Sequence, residues 1–348
     1  MARIAIIGAG MAGLSALQLL AAQGHEVTVF DKSRGSGGRM ATKKVGDASW
    51  DMGAQFIRAH SAAFTAQLQQ WQHYGWVEEW NMTPWIADAK GLHPSPDTVL
   101  RYVGMPRMTG LSRSLLEPAA AFIASTRIVS ASRGASTGQW SLSCDDGKTF
   151  GPFDGLLINT PPQQAIPLLS AAPQLAAQCE QVDMLPCWTL LLTLPEAMNC
   201  AADAVFVKQG PVSWIARNSS KPGRDNQKTG PKTGQETGKD SWVIQASHEW
   251  SRQQIDAPRE LVQQELLSAF FAALQQPQQQ PDTLWLHRWL YAIPANSLTL
   301  GALSDIGQQL VVCGDWCHSP SLEGAWLSGQ QAARTLLTTL PNTAEEPL

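Results

Sequence analysis

The chain has 348 residues, 44% of them apolar, with a formal net charge of −4 and no basic run. That balance excludes nucleic acid and an anionic membrane surface as main partners. The length suits one large domain or two interleaved ones at about 150 residues per domain, and no stretch reaches the ~18 unbroken apolar residues of a membrane span.

Residues 3–39 read as one unit: an apolar strand (Ile4 to Ile7), a turn with Gly8, Gly10 and Gly13, a helix to about Gln23, and a strand over 26–30 that ends on Asp31. Gly8 permits the tight strand-to-helix turn, Gly10 lets a pyrophosphate approach the backbone, and Gly13 lets helix and strand pack closely. The free N–H groups and positive dipole end of the helix face that phosphate site. Asp31 stands where a carboxylate accepts hydrogen bonds from an adenosine ribose. A second glycine turn, Gly35-Ser36-Gly37-Gly38-Arg39, follows. The apolar start fits a buried first strand better than a leader peptide.

Further on, Gly53 and Ala54 are small residues at a strand end, open to something flat. Residues 61–74 have helical spacing (Phe64, Leu68, Trp71), and 76–94 short strands around Gly91. A helix is expected from about Ser112 to Ala124. Three strands follow, over 127–132, 139–144 and 148–159, the last running into Thr160-Pro161-Pro162. Short helices are expected at 163–169 and 174–180.

A second sheet is expected from strands at 187–194, 204–209, 211–217, 241–247 and 284–291, with a helix over 258–274. Residues 219–240 hold Gly, Pro, Lys, Thr and Gln with almost no apolar content, and read as a solvated, mobile hairpin tip. The chain then returns through a strand at 310–313, the turn Gly314-Asp315-Trp316, and a glycine-preceded helix to about Leu340, whose start is a second docking place for an anion or carbonyl. The six cysteines form no CxxC and no zinc spacing with His, so reduced thiols, no metal and a cytoplasmic location are expected. The 14 tryptophans suggest an aromatic-walled cavity in addition to core.

Asp31-Lys32-Ser33-Arg34 with Gly37-Gly38-Arg39 resembles the second fingerprint of the flavoprotein amine oxidase superfamily, whose fold is the glutathione-reductase-like FAD-binding one. The usual pattern has Glu and then R-x-G-G-R. Here Asp replaces Glu and one extra residue separates Arg34 from Gly37. Both departures occur in the renalases. The blocks 51–55, 104–108, 214–218, 287–291, 314–317 and 323–329 extend the resemblance to the bacterial renalases over nearly the whole chain.

The resemblance implies an α/β chain with a discontinuous Rossmann-type FAD-binding domain over 1–60, 100–175 and 296–340. It implies an α+β substrate domain on a mainly antiparallel sheet over 61–99 and 176–295, and a tail over 341–348. It implies non-covalent FAD. Gly8, Gly10, Met11, Ala12 and Gly13 then face the pyrophosphate, Asp31 the ribose, and Arg39 the phosphates, with Lys32, Arg34, Gly38 and Met40 beside them. Gly53, Ala54 and Gln55 lie along the isoalloxazine, and Thr160 is a further cofactor contact. Asp315 reaches the ribityl or pyrophosphate side, with Gly314 and Ser328 as further cofactor contacts, and Glu323, Gly324 and Ala325 offer helix-start N–H groups to the flavin O2 and N1.

The implied activity is oxidation of the 2-dihydro and 6-dihydro isomers of NAD(P)H to NAD(P)+, with O2 reduced to hydrogen peroxide. Catalysis there is mainly positioning. Trp289 and Tyr291 are the candidates for stacking. Arg217, Asn218, His248 and Arg288 are candidates for holding carboxamide, ribose or phosphates. Two rivals stay open: an amine oxidase with the same FAD shell, and a non-catalytic FAD-binding redox sensor. A desaturase or porphyrinogen-type oxidase is a weaker third, for want of an apolar tunnel or membrane-facing stretch.

Overall fold

The structure is a computed structural model that describes residues 1–46, 48–224 and 240–340. Its first sheet has six strands, in the order Leu303–Asp305, Leu310–Val312, Gly155–Ile158, Arg3–Ile7, Glu26–Phe30, Ala121–Ile123. All neighbours are parallel except the first pair. Arg3–Ile7 is central, and Ile4, Ala5 and Ile6 are fully buried, as a parallel strand covered on both faces requires. The six strands come from three separate stretches of chain.

The helix Met11–Ala22 packs on this sheet and against the closing helix Leu322–Leu337. The crossing is close enough that a Cβ on Gly329 would overlap the Ala12 carbonyl. Ser15 Oγ donates to Trp326 O at 2.8 Å. The two ends of the chain are thereby locked around one core.

The second sheet has seven strands, in the order Thr283–Pro294, Met184–Leu194, Asp240–Ala246, Val212–Arg217, Ala204–Val207, Pro84–Asp88, Gly91–Pro94. It is antiparallel except between Ala204–Val207 and Pro84–Asp88. Strand alternation gives it two faces. Trp188, Leu190, Ile215, Trp242 and Leu286 point outward onto the helix Arg259–Ala273 through Val262, Leu266 and Phe270. Cys187, Thr189, Leu191 and Val243 point the other way, and Leu191 and Val243 pack on Trp50. The α/β class and the mainly antiparallel second sheet are as expected; the architecture of the first sheet is Rossmann-like.

Several local expectations are corrected. The helix expected over 112–124 is Met108–Leu116, because Pro118 stops it. Ala121–Ile123 beyond it is an edge strand paired with Thr28–Phe30. The single strand expected over 148–159 is two, Thr149–Phe153 and Gly155–Ile158, in different sheets. Asp154 makes the break: its N–H donates to Arg3 O at 2.7 Å and its carboxylate accepts from Arg3 N–H at 2.8 Å. The hairpin Thr42–Val45/Ala48–Asp51 and the helix His248–Gln253, capped by Ser247, went unread. In the stretch expected to be solvated, Lys221 is 0% exposed and Arg224 3%. Its remainder, 225–239, and the tail 341–348 lie outside the described residues. Most tryptophans are core: Trp50, Trp71, Trp80, Trp140, Trp188, Trp214, Trp242, Trp316 and Trp326 are buried.

Candidate functional site

At the carboxyl end of the central strands, Gly8 turns with φ +103°, and a Cβ there would overlap the Asn159 carbonyl. The helix that follows starts at Gly10 with no side-chain cap. The first-turn N–H groups of an uncapped helix are free for an anion. The second glycine turn lies against the first: Gly37 N–H donates to Ala9 O at 2.8 Å, and Gly38 passes close to Gly10. Asp31 is fixed above them, accepting from Ala9 N–H at 2.8 Å and Ser33 N–H at 2.7 Å. Beside Gly8, the Thr160 hydroxyl is buried with no hydrogen-bond partner among the described residues. A buried polar atom without a partner is uncommon in a folded chain, and this one adjoins the turn. Met11 and Met40 are core residues. Arg34 is exposed, and Lys32 reaches Gln164 Oε1 at 2.9 Å. None of these four side chains is brought into the cradle.

Arg39 and Asp315, expected on different parts of a cofactor, bind each other. Two hydrogen bonds of 2.7 and 2.6 Å make a bidentate pair, and Arg39 also donates to Ala292 O at 3.1 Å. Burial pushes the Arg39 guanidinium down, but Asp315 outweighs it, so the net direction is up. The helix-start N–H groups of Gly324 and Ala325 are spent on Ser321, at 2.9 Å to its hydroxyl and 3.0 Å to its carbonyl. A serine cap thus replaces the expected flavin contact. Glu323 turns away to accept from the N–H groups of His60 (2.7 Å) and Ser61 (2.8 Å), capping the helix Ala62–His73. Burial raises its carboxyl, but those hydrogen bonds bring it below the usual range. Ser328 fixes the turn before Asp315 by accepting from Gly314 N–H at 3.0 Å.

Gly53 is where the first unit meets the second sheet. A Cβ there would overlap Arg39 O and stand 3.3 Å from the Trp289 ring. The Trp289 indole N–H donates to Met52 O at 3.2 Å, and Gln245 donates to Gly53 O at 2.7 Å. Gln55 donates to the Asp51 and Gly53 carbonyls at 2.5 and 2.9 Å. In register, Cys187 pairs with Trp289, and Thr189 with both His287 and Gln245. Cys187, Thr189, Gln245, His287 and Trp289 therefore share the face of the sheet that looks toward Gly53. His287 stands edge-on to Trp289 at 4.5 Å. Its imidazole is held below its ordinary range by burial, then by Arg259 and Lys43.

Behind Gln55 lies a buried charge cluster. The Asp51 carboxylate is 1% exposed, 2.5 Å from Arg224 Nη2 and 3.6 Å from Lys221 Nζ. Lys221 also donates to Gln55 Oε1 at 3.0 Å. Burial lowers the Lys221 ammonium to about 8, against the pull of Asp51. Burial raises Asp51, but Lys221 and Arg224 together hold it below the usual carboxylate range. Asn218 joins the cluster, accepting from Asp51 N–H at 3.2 Å and donating to Ser49 O at 3.0 Å.

Of the substrate-side candidates, only Trp289 reaches this place. Arg217 lies on the outer face, over the Trp242 ring at 4.7 Å, with Nη2 donating to Met198 O and Cys200 O and the guanidinium ion-paired with Asp240. Arg288 is also outside, over Trp188 at 5.4 Å and bonded to Ile255 O. His248 is held on Pro186 O at 2.9 Å. Asn218 is fully buried in structural bonds. Tyr291 lines a separate surface cavity of about 450 Å³ with Leu290, Met184 and Arg252. Strand parity decides most of these cases: the odd-numbered Arg217 follows Ile215 outward, whereas Trp214 and Ala216 face in. Asp51 and His287 fall in the blocks 51–55 and 287–291 but have no role assigned from the sequence, and Lys221, Arg224 and Gln245 are not singled out there at all. The one available signal was a Lys and an Arg flanking Pro222-Gly223, a turn placed against Pro106.

Among the described residues no helix is long and apolar enough to cross a membrane, and no cluster of His, Cys, Asp and Glu suits a metal. Residues 6–71 match the family model of an NAD(P)-binding Rossmann-like domain. A stretch of 75 residues is 40% identical to 4,4'-diapophytoene desaturase of Staphylococcus aureus strain Newman, covering 21% of this chain and only 15% of the desaturase. Over nearly their whole lengths, three solved structures are similar. A protein of Exiguobacterium sp. 255-15, provisionally assigned as a protoporphyrinogen oxidase, has TM-score 0.76 and 13% identity, covering 97% of this chain and 99% of that one. A reduced UDP-galactopyranose mutase has 0.75 and 10%, covering 97% and 94%. A putrescine oxidase variant has 0.67 and 11%, covering 97% and 99%. The chain is similar over residues 6–71 to an NAD(P)-binding Rossmann-like domain and shares the fold of these three proteins along its length.

Proposed function

We propose that the chain is an FAD-dependent oxidase of dihydronicotinamide dinucleotides. It takes a hydride from the 2-dihydro or 6-dihydro isomer of NAD(P)H, and the balance is NAD(P)H + H+ + O2 → NAD(P)+ + H2O2. Three features of the cradle fit FAD: an uncapped helix start behind two glycine turns, Asp31 poised over them, and the partnerless Thr160 hydroxyl. The Met11–Ala22 helix start and the Gly37–Gly38 turn hold the pyrophosphate, Asp31 the ribose, and the Gly53 backbone the flat ring. When bound, FAD supplies a two-electron acceptor that O2 reoxidises.

The observation that carries the reading is Trp289. Its indole is anchored on Met52 O and pressed beside a glycine that has no room for a side chain. It forms one wall for a planar ring, with Gln245 and a neutral His287 beside it to hydrogen-bond a carboxamide. The chain's residues here bind, orient and exclude water. No general acid or base is called for, because the pyridinium product is aromatic and the hydride leaves a weak C–H bond.

A second reading is oxidation of an amine in the same cradle. The similarity to putrescine oxidase and the aromatic contacts of Trp214 with Phe56 (5.4 Å) and Phe206 (4.9 Å) favour it. Steady-state peroxide and NAD(P)+ formation under air, with both dihydro isomers and a panel of primary amines, tests the two. Peroxide with stoichiometric NAD(P)+ from an isomer supports the first reading. Peroxide from amines alone replaces it with the second.

A further inference from the structure

We infer that the face carrying Lys43, Trp285 and His287 is a subsite for the phosphate-bearing arm of the substrate, so that the enzyme selects an anionic nucleotide. This rests on the dihydronicotinamide reading and adds where the rest of that molecule lies. Trp285, His287 and Trp289 occupy alternate positions on one face of the edge strand Thr283–Pro294. At about 3.3 Å per residue, Trp285 and Trp289 are roughly 13 Å apart. That is room for a nucleotide along the strand, its ring at Trp289 and its phosphates toward Trp285.

The chemistry of the far end suits phosphate. Lys43 Nζ sits 3.5 Å from the Trp285 ring centroid, a cation–π contact that fixes the ammonium without neutralising it. Among the described residues no carboxylate pairs with Lys43. Trp285 is 39% exposed, a large aromatic left open at the end of the strip. His287 lies between the two tryptophans, and the charges that act on it are both cationic, Lys43 and Arg259. An edge-strand face lined by an unpaired ammonium and two indoles attracts a phosphate. It repels an amine cation and gives a neutral polyene nothing polar to bind. The burial that favours neutral His287 also leaves its ring able to donate to a phosphate oxygen or the carboxamide.

The test compares 6-dihydro-NAD with the corresponding dihydronicotinamide riboside, which has the same reacting ring and no phosphate. The flavin-loaded protein is used throughout. We expect kcat/KM to favour the dinucleotide, and the preference to fall as salt rises to ~0.5 M. Lys43→Glu should lower the dinucleotide-to-riboside ratio by about five- to tenfold, the effect of reversing one partly exposed charge. Lys44→Glu, on the next residue of the same strand and therefore facing away, should leave the ratio unchanged. Equal kcat/KM for the two substrates, or a ratio unmoved by Lys43→Glu in protein that keeps its flavin, overturns the subsite while leaving the reading intact. If neither substrate is oxidised, the underlying reading fails and takes the subsite with it.

Discussion

Replacing Asp51 by Asn removes one charge from the buried cluster and keeps its shape. The side chain accepts hydrogen bonds from Thr42 Oγ1 (3.1 Å) and Met108 N–H (3.1 Å), which an amide oxygen can still receive. What is lost is the countercharge to Arg224 at 2.5 Å and Lys221 at 3.6 Å. At an effective dielectric of ~20, the Lys221 pair alone is worth about 5 kcal/mol before desolvation. Removing one partner of such a buried pair costs about 3–5 kcal/mol, because the remaining charge has no route to water. Two stranded cations place Asp51→Asn at the upper end of that range. Asp51→Ala adds about 1–3 kcal/mol for the unpaired Met108 N–H. Urea unfolding of the flavin-loaded proteins measures this, and the double variant Asp51→Asn/Lys221→Met should recover part of the loss. A cost below ~1 kcal/mol for Asp51→Asn, or a double variant weaker than the single one, refutes the claim that this carboxylate holds the two cations in place.

The same cluster gives a pH signature. The folded pKa of Lys221, about 8, lies below its ordinary value of 10.5. Between those values the unfolded chain binds the proton and the folded one does not, so stability should rise from pH 8 toward 10.5. Urea midpoints across that range should climb in the wild type and flatten in Lys221→Met. Asp51 acts at the other end: its depressed folded pKa contributes stability above the ordinary carboxylate range and loses it as pH falls through the folded value. For the chemistry, Trp289→Ala should slow the reductive half-reaction by about a hundredfold through lost positioning, while flavin content stays near that of the wild type. Stopped-flow absorbance reads both.

The cofactor side of the molecule was legible because its requirements are local. The Gly8–Gly13 spacing, the strand ending on Asp31 and the Gly37-Gly38-Arg39 turn each state a backbone geometry, and the structure brings these segments together. Partners distant in sequence were not legible. Arg39 and Asp315 were assigned separately to a cofactor, yet they pair across 276 positions. Gly324 and Ala325 read as free donors until Ser321 appeared as the cap. On the substrate side the difficulty was parity. Arg217 and Arg288 sit in the right strands on the wrong face, and a shift of one residue decides that. Lys221 and Arg224 were hidden by the composition of their neighbours: a polar stretch reads as solvated, and only the fold reveals a buried carboxylate waiting at Asp51.

The reductive half-reaction tests the central claim most directly. Flavin-loaded protein is mixed without oxygen against 2-dihydro-NAD(P), 6-dihydro-NAD(P) and a set of primary amines, and the flavin absorbance is followed. The account predicts rapid bleaching by at least one dihydro isomer, with release of NAD(P)+, and none by the amines. Bleaching by an amine with no response to either isomer, or an oxidised spectrum that no addition changes, contradicts it.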